Sequence, residues 1–117
     1  MSTLKVNDIE EATAGGGKIF LNRVWNVWNQ SGTQAIIADG NVSSITDNGT
    51  GSTTTTYTNN LSSSNYAVSC GAGSSSTDPY RYLGVWNTMT TSAVRTQTLY
   101  SATSAYDAQY NAIQIVL

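Results

Sequence analysis

The segment that most constrains the fold is residues 18–29, which read KIFLNRVWNVWN. Aromatic and β-branched residues recur in it without proline or glycine, which predicts a β-strand, and its Val, Trp, Asn and Ile residues disfavour a helix. Alternate residues of a strand face opposite sides of the sheet. One side carries Ile19, Leu21, Arg23, Trp25 and Val27, and the other carries Phe20, Asn22, Val24, Asn26 and Trp28. Both sides of this strand are therefore partly apolar.

A strand that is apolar on both sides needs two covers, because an apolar face left in water is costly. We expect one side to pack in the core of the domain and the other to meet a second copy of the chain. Phe20, Val24 and Trp28 are assigned to that contact between copies. Trp25 and Trp28 also suit the role of ordinary core anchors, and this alternative stays open.

The rest of the chain alternates short strand candidates with turn signals. Residues 47–51 read DNGTG, and an Asn-Gly pair supplies the positive φ angles of a tight hairpin. The next segment, residues 52–58, is a strand candidate with threonine on both sides and little apolar surface. About eight short strands with regular turn signals are typical of an antiparallel β-sandwich. A chain of 117 residues holds one such domain, which we place at residues 18–117 as a head.

Residues 1–17 have a different composition from the head. They carry a cluster of acidic residues and end in three glycines, which allow the chain to change direction freely. Leu4, Val6 and Ile9 are the sizeable apolar residues that follow Met1. We interpret this segment as an extended N-terminal arm that attaches through these three side chains, with the glycines as its joint. A frayed terminus without a partner is the alternative.

Composition excludes several classes of function. Only 10% of the residues are charged, and five scattered cations cannot neutralise a run of phosphates, so we expect no nucleic-acid partner. No apolar run approaches the length that crosses a bilayer, and the first residues carry no apolar segment typical of a secretory signal. We therefore expect no membrane insertion, and synthesis in a cytoplasm without export by that route. The abundance of Ser, Thr and Asn nevertheless resembles that of proteins that function outside cells.

The chain also holds few groups that could support catalysis or bind a metal. It has no histidine, the commonest general base, and its single cysteine, Cys70, cannot form an internal disulfide and is expected to be a buried, inert thiol. Asp39, Asp47, Asp78 and Asp107 are the candidates for a pair of catalytic carboxylates, but three of them lie beside Gly, Asn or Pro, where aspartate caps turns. We expect no catalytic residue, no cofactor and no metal site.

One cluster of side chains suggests a binding surface. Residues 78–87 read DPYRYLGVWN, and on a strand Asp78, Tyr80, Tyr82 and Trp86 share one side. Aromatic rings stack on the apolar faces of sugars, and neighbouring Asp, Asn and Arg side chains bind hydroxyl groups. These four residues are therefore a candidate carbohydrate or receptor site. Packing in a core or an interface, which Trp and Tyr often dominate, is the competing interpretation.

Several segments resemble a known family. Residues 41–51 (NVSSITDNGTG), the Thr-rich strand that follows and residues 65–68 (NYAV) resemble a block in small virion proteins of tailed bacteriophages, notably marine and cyanobacterial phages. The first residues, MSTLKVNDI, are similar to the start of such fibre proteins. The layout of the flanking segments extends the resemblance over nearly the whole chain.

The resemblance implies a tail fibre or related virion surface protein, a homotrimer with an N-terminal arm that docks on other virion proteins and a β-rich head. Such a protein is made in the host cytoplasm and released by lysis. We expect the head to contact the host cell surface, most simply an envelope glycan. A capsid decoration or tail-assembly subunit without receptor binding is the alternative. A depolymerase is disfavoured because the chain offers no convincing acid–base pair.

Overall fold

The computed structural model describes residues 3, 9–10, 18–19, 21–74, 81–86 and 88–117. These residues form β-strands joined by turns and loops. They contain no helix, and therefore no helix that could cross a membrane. The strands are β1 (Ile9–Glu10), β2 (Lys18–Ile19), β3 (Asn22–Asn29), β4 (Ala35–Gly40), β5 (Val42–Asp47), β6 (Ser52–Tyr57), β7 (Ala67–Gly73), β8 (Tyr82–Val85), β9 (Ala93–Ser101), β10 (Ser104–Ala105) and β11 (Tyr110–Val116).

Two antiparallel sheets make up the head. The four-stranded sheet has the order β4-β3-β11-β7, and its central strands β3 and β11 lie far apart in the sequence. The five-stranded sheet has the order β5-β6-β9-β8, and the short β10 also pairs with β9. The core lies between the two sheets, which confirms the prediction of an all-β, sandwich-like fold. The hairpin predicted at residues 47–51 is present, since β5 and β6 pair across it and Gly49 and Gly51 have positive φ.

The chain passes from one sheet to the other at Asn41. This residue separates β4 from β5 and adopts a φ of 60°, a left-handed conformation that asparagine tolerates better than most residues. Its side-chain amide donates to the backbone carbonyls of Arg23 and Asn59, at 3.1 Å in both cases. Asn41 is therefore a corner between the two sheets, and its own side chain holds that corner in place.

The contact between copies predicted for Phe20, Val24 and Trp28 needs correction. Val24 and Trp28 are both 0% exposed within the single chain, and Phe20 lies outside the described residues. The register explains the burial, because β11 places Ile115 opposite Val24 and all three side chains join the core between the sheets. Val24 and Trp28 have no surface left for a second copy, and their assignment to that contact is wrong. The outward side of β3 is the one that carries Trp25 and Val27.

Strand pairing near the N-terminus crosses the predicted boundary between arm and head. Ile9 pairs with Ile19 and Glu10 with Lys18, so β1 and β2 form a small antiparallel ladder of their own. The long strand predicted from residue 18 begins as β3 at Asn22 instead. Leu4 and Val6 lie outside the described residues, and the attachment role of residues 1–17 stays a prediction.

Much of the space between the sheets is polar. The Thr53 hydroxyl on β6 accepts hydrogen bonds from Trp28 Nε1 at 3.2 Å and Gln30 Nε2 at 3.0 Å, and it donates to Gln34 Oε1 at 2.6 Å. A hydroxyl has one proton to donate and two lone pairs, so Thr53 is fully satisfied by these three partners. Asn26 Nδ2 donates to the Thr55 hydroxyl at 3.2 Å on the same side of β6.

A second set of hydrogen bonds closes one end of the sandwich. Gln30 and Ala108 bond through both backbone and side chain: Gln30 N donates to Ala108 O at 2.9 Å, and Gln30 Oε1 accepts from Ala108 N at 3.1 Å. The buried Asn111 amide donates to the carbonyls of Trp28 and Ala108 and accepts from the Thr98 hydroxyl. These bonds satisfy buried polar groups that would otherwise destabilise the fold.

We expect the variant Thr53→Val to lower the free energy of unfolding by about 2–3 kcal/mol, because it preserves shape but leaves the buried Trp28 indole N–H without its acceptor. Denaturant unfolding measures the change. Thr56→Val is the matched control, since Thr56 lies on the same strand, is half-buried and faces the other side. Equal losses of stability in the two variants would contradict the role given to the Thr53 hydroxyl.

The other end of the core holds a pair of buried tyrosines. The Tyr57 and Tyr66 hydroxyls are 2.8 Å apart, and the rings meet edge-on with centroids 6.3 Å apart. The Tyr66 hydroxyl also lies within hydrogen-bond distance of the carbonyls of Thr90 and Ala93. Because carbonyls only accept, Tyr66 donates to them, and the proton between the two hydroxyls comes from Tyr57. Burial raises the pKa of both tyrosines, and the bond to Tyr66 raises the pKa of Tyr57 further.

These raised pKa values predict a loss of stability at alkaline pH. Above about pH 10, Tyr57 and Tyr66 lose their protons in the unfolded chain but keep them in the folded chain. Their contribution to the free energy of unfolding is therefore fully present below that pH and is lost as the pH rises. We expect the free energy of unfolding to fall by about 1.4 kcal/mol per pH unit for each of these two tyrosines. Urea unfolding of the wild type and Tyr57→Phe above about pH 10 tests this, with a shallower slope expected for the variant. If the free energy of unfolding falls equally steeply with pH in the wild type and in Tyr57→Phe, Tyr57 does not cause the alkaline loss of stability.

Candidate functional site

Two of the four residues predicted to bind carbohydrate lie on the outer side of the sheet, Tyr82 on β8 and Trp86 directly after it. Antiparallel pairing with β9 places Tyr82 opposite Leu99 and Gly84 opposite Gln97. Leu83 and Val85, on the other side of the strand, pack against the core. Tyr82 and Trp86 therefore share the outer side, as predicted, whereas Asp78 and Tyr80 lie outside the described residues.

Trp86 lines a shallow groove on the side of the sheet that also carries Tyr82. The Tyr82 and Trp86 side chains are 63% and 45% exposed, and their offset of four positions along an extended strand places them about 13 Å apart. Gly84 lies between them, and an added Cβ there would meet no atom within 4 Å. The groove has a volume of about 270 Å³ and is lined by Gly84, Val85, Trp86, Gln97 and Leu99. We call this surface the β8–β9 face.

Arg95 on β9 is a residue of the β8–β9 face that the sequence analysis did not select. Its guanidinium carbon lies 4.6 Å from the centre of the Trp86 ring, and its Nε donates to the Ser52 hydroxyl at 3.0 Å. The cation–π contact and the hydrogen bond together hold the guanidinium in place beside the groove. The sequence feature that could have indicated Arg95 is that it is the one cation in an otherwise uncharged strand. Its proximity to Trp86 depends on the pairing of β9 with β8, which the sequence did not predict.

The arginine within the predicted aromatic cluster has a different position. Arg81 stacks against Tyr106, with its guanidinium carbon 4.1 Å from the ring centre, and lies 5.1 Å from the ring centre of Tyr100. Tyr100 and Tyr106 are themselves neighbours, with ring centres 6.2 Å apart. Arg81 is thus part of a second aromatic group near the start of β8, separate from the stacking contact that Arg95 makes with Trp86.

A larger groove lies on the outer side of the other sheet. It has a volume of about 540 Å³, and Trp25, which is 39% exposed, forms part of its wall. Its other lining residues include Val27 of β3, Ser69 and Gly71 of β7, and Ala112 and Gln114 of β11. Small side chains on two neighbouring strands leave this space beside the indole. The sequence pattern assigned the side of Trp25 to the core, because Phe20, Val24 and Trp28 were expected to form the contact between copies, and it could not place these small residues next to the indole.

The candidate catalytic groups have structural contacts. Asp47 Oδ1 accepts from Gly49 N at 2.9 Å within the hairpin, and Asp107 Oδ1 accepts from Gly51 N at 2.7 Å. Cys70 is exposed rather than buried, because it lies on the edge strand β7, yet its thiol donates to Leu83 O and partial burial raises the pKa of that thiol. Within the described ranges, no group of three or more Cys, Asp or Glu side chains is placed to hold a metal.

No protein-family model, curated protein or solved structure matches this chain.

We expect Gly40→Ala to displace Trp25, because a Cβ at Gly40 would collide with three atoms of the indole ring. Such overpacking lowers the free energy of unfolding by about 1–3 kcal/mol and exposes the indole further to solvent, which shifts its fluorescence to the red. Gly71→Ala is the control, since its Cβ would meet no atom within 4 Å. Emission and stability that are the same in both variants would contradict this contact.

Proposed function

We propose that the protein is a virion surface protein of a tailed bacteriophage, a tail fibre whose head contacts glycans of the host envelope through the β8–β9 face. The resemblance of residues 41–51 and 65–68 to phage virion proteins supports the class of protein. The exposed aromatic residues of the β8–β9 face support the class of ligand.

The observation that carries the ligand assignment is the exposure of two aromatic rings on either side of a glycine. Tyr82 and Trp86 remain exposed, whereas the neighbouring apolar residues Leu83 and Val85 are packed inward. Rings in this position offer flat apolar surfaces to the C–H faces of sugar rings, and Gly84 leaves room for a saccharide between them. Gln97 also lines the groove, and because its Nε2 donates to the backbone carbonyls of Thr50 and Thr98, its Oε1 is the atom that would accept from a sugar hydroxyl.

The rest of the proposal concerns assembly. Residues 1–17 would dock on another virion protein through Leu4, Val6 and Ile9, and the head would form a homotrimer. Three copies on one fibre would present three glycan sites together. Linked sites bind with an effective concentration that raises avidity well above the affinity of one site, so weak stacking contacts suffice for attachment.

The second candidate function is that of a structural subunit, a capsid decoration or tail-assembly protein without a receptor. One observation favours it: the outer side of β3 exposes Trp25 next to the larger groove. A second copy that covered this face would bury Trp25, so the contact between copies would lie on the side of β3 opposite to the one predicted from the sequence. The two functions therefore predict two different essential faces.

A reciprocal pair of glycine variants tests the two functions. We expect Gly84→Val to abolish binding to immobilised bacterial envelope polysaccharides, because its side chain would fill the groove beside Trp86. Gly71→Val fills the groove beside Trp25 and is expected to leave polysaccharide binding unchanged. Neither added side chain meets an atom within 4 Å at its Cβ, and neither glycine has a positive φ, so both variants should fold.

Sedimentation velocity measures the oligomeric state of the same two proteins. Loss of self-association in Gly71→Val, together with the absence of polysaccharide binding by the wild type, would favour the structural subunit. Polysaccharide binding that is equal in wild type, Gly84→Val and Trp86→Ala would overturn the assignment of the β8–β9 face.

A further inference from the structure

We propose that the β8–β9 face recognises an acidic saccharide, and that Arg95 binds its carboxylate. This inference rests on the proposed glycan-binding function and adds the chemical class of the ligand. Three observations about Arg95 carry it: its fixed position, its unused donors and the lack of a second charge on the same side within the described strands of its sheet.

The position of Arg95 is fixed from two directions. Its Nε donates to the Ser52 hydroxyl at 3.0 Å, and Ser52 is itself buried at 3% exposure on the neighbouring strand. The planar guanidinium also lies over the Trp86 ring, 4.6 Å from its centre. A side chain held at both contacts loses less conformational entropy when it binds a ligand than a freely moving one.

Most of the hydrogen-bonding capacity of Arg95 remains available. A guanidinium has five N–H donors, and the bond to Ser52 uses the one on Nε. Among the described residues, no protein acceptor bonds to the two terminal nitrogens, and the side chain is only half-buried. Those nitrogens form a fork whose geometry matches the two oxygens of a carboxylate.

Among the described strand residues of this sheet, no other charge lies on the same side as Arg95. Within the strands of the five-stranded sheet, the charged residues are Asp47 and Arg95. The register places Asp47 opposite Thr53, whereas Arg95 lies opposite Thr54, so the two charges belong to opposite sides of the sheet. The described strand residues on the outer side thus combine one cation with the rings of Tyr82 and Trp86. This combination suits a sugar that carries both an apolar ring face and a carboxylate.

The experiment compares acidic saccharides with their neutral counterparts. Oligosaccharides of polygalacturonate, alginate and hyaluronate are each paired with the same material after reduction of its carboxylates to primary alcohols. We expect the wild type to bind at least one acidic form roughly ten- to a hundredfold more tightly than its reduced form, the range of a charge-assisted hydrogen bond. Raising the salt concentration should reduce this preference, because salt screens exposed charges.

Arg95→Met should remove the preference for the acidic form while the reduced form still binds. Arg23→Met is the matched control, because it changes the net charge equally on the other sheet and should keep the preference. Arg95→Lys should recover only part of it, since an ammonium lacks the planar fork. Thermal unfolding confirms that each variant is folded, and Trp86 fluorescence reports whether the indole has moved.

Three outcomes would overturn the inference, and they differ in what they say about the proposed function. If the wild type binds the acidic and reduced forms equally well, the proposed glycan function is retained but the ligand is not specifically an acidic saccharide. If Arg95→Met loses affinity for the acidic and reduced forms equally, Arg95 only holds Trp86 in place and does not bind the carboxylate. Absence of binding to every saccharide, including neutral envelope polysaccharides, would remove the glycan function and the inference with it.

Discussion

The hydroxyl of Thr53 joins the two sheets, and the arrangement of the core depends on it. It accepts from the indole N–H of Trp28 and the side-chain amide of Gln30, and it donates to the side-chain oxygen of Gln34. All three partners belong to β3 or to the loop that follows it. A threonine-rich strand would otherwise have too little apolar surface to hold a second sheet by the hydrophobic effect alone. Directional bonds between buried partners replace part of that surface and set how β3 lies across β6.

The outer faces follow from this inner arrangement. Once Val24, Asn26 and Trp28 face β6, the alternation of the strand directs Trp25 and Val27 outward. The same rule on β8 directs Leu83 and Val85 inward and leaves the rings of Tyr82 and Trp86 in water. The molecule therefore presents two outer faces of different chemistry, an aromatic face with a cation on one sheet and an uncharged groove on the other.

Local patterns in the sequence predicted the features that depend on local geometry. The hairpin at residues 47–51 and the shared side of Tyr82 and Trp86 both follow from turn chemistry and from alternation along a strand. The sequence did not predict which side of β3 faces inward, because both sides carry apolar residues and the choice depends on β11. The paired residues of β3 and β11 are 83 to 94 positions apart in the sequence. Arg95 was missed for the same reason, since only the pairing of β8 with β9 brings it to Trp86.

An interior linked by amides and hydroxyls also affects how the fold responds to temperature. The heat-capacity change on unfolding rises with the apolar area that becomes hydrated and falls with the polar area. A core in which Asn26, Gln30, Thr53, Thr55, Thr96, Thr98 and Asn111 are fully buried shifts that balance toward the polar term. The curve of stability against temperature is accordingly flatter than for a sandwich of the same size with an aliphatic core, which spreads a similar stability over a wider range of temperatures.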